Sequence, residues 1–172
     1  MKKWTFIAIG VQVVIMAMAL IPPLVLKATG QTVYLETEKM DPRALIRGDY
    51  VVLGYKVGDS IIPAADSQKA RNTGLSVYVT VTTDRPGKFV AWSFERPQLQ
   101  SGQACVVGRV RNVWTGWSEN PENASVDFPQ IAQFFVSEGM GHELERMRGD
   151  DLLAKASVSS GCNAVLLGLE QR

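Results

Sequence analysis

The chain is expected to be mainly β: a compact, mostly antiparallel β-domain with short helices, carried on a single N-terminal transmembrane helix. Three observations lead there. An uncharged apolar run opens the chain, and period-two alternation recurs through the rest. Helical patterning beyond the run is confined to short stretches around Ala44–Arg47 and Gly141–Leu153. Residues 1–27 form the anchor and 28–172 one extracytoplasmic, β-rich domain, with no internal repeat and no linker dividing it.

Lys2 and Lys3 precede "WTFIAIGVQVVIMAMALIPPLVL", Trp4 to Leu26, in which Thr5 and Gln12 are the clearly polar residues. About 20 apolar residues cross a hydrocarbon core as a helix. Trp4 stands where aromatic rings favour the headgroup zone, and the leading lysines favour a cytoplasmic N-terminus. The expected location is therefore the inner (cytoplasmic) membrane, single-pass, held in the bilayer through residues 4–26, with the C-terminal domain periplasmic or luminal. Ala17-Met18-Ala19 has the small-x-small form of a signal-peptide cleavage site, but the apolar run continues through Leu20, Ile21 and Leu24 to Leu26. A cut there would leave an apolar new terminus, so a retained signal anchor is the better reading. Pro22 and Pro23 are expected to kink or end the helix near the outer leaflet.

The 172 residues hold 18 basic and 17 acidic side chains for a net charge of +1, so no global field draws nucleic acid. Cys105 and Cys162 are open to two readings, a disulfide in an oxidising space or two small buried apolar side chains.

Strands follow in order. "TVYLETE" (Thr32–Glu38) alternates, "YVVLGYKV" (Tyr50–Val57) is a second strand, and "LSVYVTVTT" (Leu75–Thr83) alternates most strictly. In "DRPGK", Pro86 and Gly87 fit a type II turn with positive φ at the glycine, leading into "FVAWSF" (Phe89–Phe94) as the returning arm. "ACVVGRVRNV" (Ala104–Val113) is a strand with Gly108 as a bulge or close-approach point. "TGWSENPENASVD" (Thr115–Asp127) is turn-rich and read as a surface loop; the acceptor tripeptide Asn123-Ala124-Ser125 within it carries little weight. "AKASV" and "NAVLLGLE" flank Ser159-Ser160-Gly161-Cys162 as a hairpin with glycine at its turn.

The densest stretch is "MDPRALIRGDYVVLGY", Met40 to Tyr55. Asp41 and Pro42 are a helix-start pair, Gly48 suits the left-handed end of a single turn, and Asp49 fixes the corner before a strand. Leu53 and Tyr55 share a face and are expected in the core, while Gly54 admits a close neighbour.

These residues carry a resemblance. "GDYVVLGY" fits Gly-Asp-Tyr-x-x-Leu-x-Tyr, and the chain resembles the bacterial GDYXXLXY proteins. Asp41, Pro42, Arg43, Arg47, Gly48, Asp49, Tyr50, Leu53 and Tyr55 match that family's entry segment and motif. "QFFVSEGMGHELE" (Gln133–Glu145) is similar to its second signature through Phe135, Glu138, Gly139, Gly141 and Glu145, with weaker blocks at Gly108–Val110 and Asn163–Leu169. "FPQIAQ" replaces the family's Tyr-Gly-Ile-Glu-like run, so no glutamate carries over there. The resemblance implies a membrane-anchored extracytoplasmic domain associated with other membrane proteins.

Enzymatic readings fare poorly. "KMDPRALIRGD" has the outline of a signal-peptidase motif, yet Lys39 stands where the nucleophilic serine must be. His142 is the single histidine, and in "HELER" Arg146 occupies the place of a second zinc ligand. Glu138, Glu143, Glu145, Asp150 and Asp151 alternate with Arg146 and Arg148 as a solvated face does. The Arg47-Gly48-Asp49 tripeptide is explained by the turn. No catalytic residue, cofactor or metal is expected. The leading expectation is a non-enzymatic accessory or scaffold subunit that binds another membrane protein along the anchor and the face bearing Arg43, Arg47 and Tyr50. Asp41, Asp49 or Glu138 are candidates to pair with those arginines and join the two signatures. The alternatives are an extracytoplasmic ligand- or peptide-binding module using Arg43, Arg109 and Trp92, with Trp114 and Trp117 as a further aromatic patch, and an inactive relative of signal-peptidase-like β-fold enzymes.

Overall fold

The computed structural model describes residues 2–38, 50–62, 74–115, 122–135 and 152–172. It is mainly β with a single described helix, α1, running Lys2–Thr29. At 1.5 Å per residue α1 is about 42 Å long, more than the ~30 Å of a hydrocarbon core. Its apolar side chains point outward all round, from Trp4 to Val25, and it is long and apolar enough to span a membrane.

Pro22 and Pro23 lie inside α1 and do not end it; the helix continues past Lys27 to Thr29. The extra turns persist because they are fastened. Thr29 Oγ1 donates to the Val25 carbonyl at 2.9 Å, and Ser157 Oγ, from the sheet, donates to the Leu26 carbonyl at 2.7 Å. A Cβ on Gly30 would collide with Ser157 Oγ, so glycine is what lets the helix exit lie against the sheet.

The strands are β1 (Gln31–Glu36), β2 (Tyr50–Val52), β3 (Asp59–Ile62), β4 (Ser76–Thr82), β5 (Phe89–Ser93), β6 (Gln103–Thr115), β7 (Glu122–Asp127), β8 (Gln133–Phe135), β9 (Leu152–Val158) and β10 (Ala164–Gln171). They form three sheets, ordered β1-β9-β10, β2-β8 and β3-β7-β6-β4-β5, and every pair is antiparallel. In β1 the expected alternation buries Val33 and Leu35 completely; in β4 it buries Val77, Val79 and Val81. β9 is central in its sheet and its small apolar residues Ala154 and Ala156 are fully buried, with Ser157 beside them. Side chains of the three- and five-stranded sheets meet in one core with Leu53, Tyr55, Phe128 and Ile131.

Several expectations are corrected. Tyr50–Val57 is not one strand: β2 ends at Val52, Tyr55 bridges to Thr37, Lys56–Gly58 makes a single 3-10 turn, and β3 follows. Thr115–Asp127 is not all loop, because β7 occupies its end; Ala124 and Val126 point inward from a stretch whose Asn, Pro and Asp residues read as turn. The helix expected over Gly141–Leu153 yields at its end to β9, which begins at Leu152; its earlier part, and Ala44–Arg47, lie outside the described residues. The turn between β4 and β5 is not type II, since the Arg85–Pro86 peptide is cis and Gly87 is absent from the positive-φ glycines. Gly87 is needed for another reason: its N–H donates to the Tyr34 carbonyl at 2.7 Å, and a Cβ would come 2.6 Å from the Thr82 carbonyl. In the β9–β10 hairpin the left-handed residue is Cys162, φ 66°, and not Gly161.

Cys162 is also joined by a disulfide to Cys105 on β6, with 4.8 Å between Cα atoms and a sequence separation of 57. Its carbonyl accepts from the Val107 N–H at 3.0 Å. Opening the bond with the Cys105→Ala and Cys162→Ala pair is expected to cost about 2–4 kcal/mol. Thermal melts of the variant and of the parent under reductant should both fall by several degrees; an unchanged melt would refute a stabilising role. A second expectation concerns Gly108, whose added Cβ would strike Val126 Cγ1 and the Asp127 carbonyl. Gly108→Val is expected to destabilise the β6–β7 pairing by about 1–3 kcal/mol, read by denaturant unfolding.

Candidate functional site

The signature strand is held at its C-terminal end. The Leu53 N–H donates to the Ala132 carbonyl at 2.8 Å, and the Tyr55 hydroxyl donates to the Ile131 carbonyl at 2.6 Å. Both side chains are buried, and the Tyr55 ring meets Phe128 edge-on at 5.7 Å. Burial pushes the Tyr55 hydroxyl well above the ordinary tyrosine range. Thus the Leu and final Tyr of the motif are core anchors, fastening it to the segment that enters the second signature.

The two signatures then pair directly. Tyr50, Val51 and Val52 lie opposite Phe135, Phe134 and Gln133 in the β2–β8 ribbon. Phe134 packs on the core, as alternation requires, while Phe135 is 73% exposed. The expected arginine lock between the signatures cannot be placed, because Asp41, Pro42, Arg43, Arg47, Gly48, Asp49, Glu138, Gly139, Gly141 and Glu145 lie outside the described residues, as do Trp117 and His142. Within the described residues, backbone pairing joins the two segments.

Beside the ribbon lies a cavity of about 590 Å³ lined by Glu38, Gly54, Tyr55, Asp59, Arg111 and Asp127, among others. Glu38, the last residue of the expected strand Thr32–Glu38, carries no motif that would mark it as a site residue. Its N–H donates to the Gly54 carbonyl at 2.9 Å, and its carboxylate lies where a Gly54 side chain would stand, 3.1 Å from the position of a Cβ. The glycine inside Leu-Gly-Tyr was the available signal that a neighbour presses there. Burial, then a hydrogen bond to Asp59 and the charge of Asp59, raise Glu38 to about 7; Lys56 opposes this and Asp127 adds to it. Around the pair, Lys56 Nζ sits 3.3 Å from Glu36, and Arg111 Nη1 3.6 Å from Asp127. The arrangement sets the Glu38 and Asp59 carboxyls within hydrogen-bond reach and favours the protonated form of Glu38. Among the described residues, no three His, Cys, Asp or Glu side chains are grouped to hold a metal.

Trp92 and Arg109, the other residues of the expected ligand cleft, are not brought together in a pocket. Trp92 is buried opposite Val79 in the core and packs on Phe94 at 5.5 Å, whereas Arg109 is exposed on β6. A filled core counts against a cleft built on that tryptophan.

Fold and site define a β-protein with one membrane-capable helix, an internal disulfide, and a paired-signature ribbon next to an acidic cavity. The chain belongs to the GDYXXLXY family: the family model, described as GDYXXLXY protein, matches residues 12–169, nearly its whole length. No curated protein and no solved structure matches it.

The sign of the Glu38 effect on stability is fixed by its direction. A carboxyl raised from 4.5 to about 7 on folding adds stability below about pH 4.5 that is lost as pH rises through about 7. Solvent screening holds the contribution to about 1 kcal/mol. Glu38→Gln is expected to flatten the fall in melting temperature between pH 5 and 8 and to be the more stable form at pH 8. Parallel pH profiles of the variant and parent would contradict the favoured protonation of Glu38.

Proposed function

We propose that the chain is a non-enzymatic accessory protein, anchored in the inner membrane by α1 with its N-terminus in the cytoplasm. Its β-domain lies on the periplasmic or luminal side, where it binds another membrane protein through the β2–β8 ribbon. The observation that carries this reading is the exposed Phe135 ring on the ribbon that unites the two family signatures. A large aromatic side chain that stays mostly exposed on a paired ribbon is the kind of anchor that protein interfaces use. Three facts support the placement. The helix is apolar all round, Lys2 and Lys3 precede it, and the Cys105–Cys162 bond is of a kind that persists in oxidising compartments. The absence of a serine at Lys39, of a second histidine near His142 and of any other histidine in the chain supports the non-enzymatic part.

A second reading, a module that binds a small ligand, is favoured by the cavity beside Glu38, whose ~590 Å³ falls within the range of small-molecule sites. It uses other residues than the cleft first expected.

A photocrosslinking residue at position 135 is expected to yield one discrete membrane-protein adduct in intact cells, and the same residue at the exposed Leu75, just before β4, none. Phe135→Asp and Arg47→Ala are each expected to reduce recovery of that adduct or its co-purified partner by about fivefold without lowering the melting temperature. Equal recovery with both variants would sink the ribbon as the contact. An alkaline phosphatase fused after Arg172 is expected to be active, and inactivity of the fusion with full expression would sink the orientation.

A further inference from the structure

A second, larger cavity lies remote from the described signature residues. It measures about 910 Å³ and lies where α1 leaves for the sheet. One wall is the helix itself, through Pro22, Pro23, Val25, Leu26 and Thr29. The opposite wall is the domain, with Leu99, Ala104 and Val165 as apolar patches, and Gln103, Gln130, Ser160 and Asn163 as polar ones.

Its depth follows from the length of α1. About 20 residues counted from Trp4 reach Pro23, so the last turns of the helix stand in the ~5–8 Å headgroup layer beyond the hydrocarbon. The groove therefore opens where acyl chains meet glycerol and phosphate. Its chemistry is graded to suit. The helix wall continues the apolar surface of the span, while the domain wall offers neutral amides and hydroxyls. Those amides are fixed: Gln130 Nε2 donates to Asn163 Oδ1 at 3.0 Å, and Gln130 Oε1 accepts from the Ala164 N–H at 2.7 Å. At the rim, Arg96 Nη2 donates to the Ser160 carbonyl, and Lys27 follows Leu26 on the helix. Arg96 thus stands at the rim of an opening whose described lining has no acidic residue. The Ser157–Leu26 hydrogen bond and the Gly30 contact hold the two walls in place.

We infer that this groove binds one glycerophospholipid of the outer leaflet, its acyl chain running from the groove into the bilayer past Pro22 and Pro23 and its phosphate toward Arg96. The inference rests on the anchored orientation proposed above and adds a bound lipid to it. The lipid would fill the wedge between helix and domain that water fills poorly, since most of the lining is apolar.

The test uses the full chain extracted from membranes, with palmitoyl-oleoyl-phosphatidylglycerol as the probe, followed by native mass spectrometry through stepwise detergent exchange. One tightly retained lipid per chain is expected on the parent. Ser160→Trp, at an exposed position on the groove wall, is expected to weaken retention about tenfold with an unchanged melt, and Arg96→Gln about threefold. Val165→Trp fills the groove from β10 and replaces Ser160→Trp should the latter melt early. Equal retention by the parent and the filled variants would overturn the site, as would no retained lipid on the parent. Retention unchanged while a protein partner is lost would make the groove a protein dock and equally refute the lipid. Alkaline extraction of the same membranes separates the two levels. A chain that stays in the bilayer but shows no groove dependence refutes the lipid site alone, whereas a chain that is stripped out refutes the anchoring and the site with it.

Discussion

The arrangement depends on fastening a short signature strand that, among the described residues, pairs with a single strand. A three-residue ribbon such as β2–β8 is too small to be stable alone, because its hydrogen bonds hardly exceed what water offers. It persists because the chain immediately after it is nailed down. Leu53 and Tyr55 enter the core, and the Tyr55 hydroxyl and Leu53 amide bond carbonyls in the segment leading to β8. Both arms of the ribbon are thus fixed to one patch of core at Phe128 and Ile131.

A second constraint joins the two larger sheets. Cys162 contributes three ties at one residue: a left-handed backbone that closes the β9–β10 turn, a carbonyl that accepts from Val107, and a disulfide to Cys105. Gly87 adds a tie on the other side through its amide to Tyr34. Around Tyr34, Arg85 stacks at 4.7 Å from the ring centre and pairs with Glu170, which also takes Lys155 at 3.0 Å. The exposed ion pairs add little individually, but the aromatic ring they cover links β1 to β9 through Lys155 and to the β4–β5 turn through Arg85.

What was legible in the sequence was what periodicity encodes. The alternation in β1 and β4, the apolar span and the burial of Leu53 and Tyr55 all follow from side chains that repeat every second residue or run unbroken. What was not legible depended on contacts distant in the chain. β7 is spelled with Asn, Ser and Asp, and it becomes a strand because β6 offers one edge and β3 another. Gly87 reads as a turn residue, and only its approach to Tyr34 shows that the missing side chain, not φ, is what matters. Pro22 and Pro23 read as a helix end, yet Ser157, more than a hundred residues on, holds the following turns. Glu38 was invisible for the same reason, since its partner Asp59 belongs to a strand that the alternation did not reveal.

The geometry of β1 separates two faces and constrains how they act. The strand leaves the helix at Gln31, and Glu38 lies about 23 Å further along it at ~3.3 Å per residue. The groove is at the near end, the acidic cavity and signature ribbon at the far end. On the anchored reading proposed above, the groove lies at the end of β1 next to the span and the ribbon at the end remote from it, so the two faces suit different occupants. A lipid in the groove bears on α1 and the β9–β10 hairpin, and reaches the ribbon through β1, which is hydrogen-bonded to β9 over its whole length. The helix exit and the segment before the signature are thus the two ends of one strand, tied to β9 along its length.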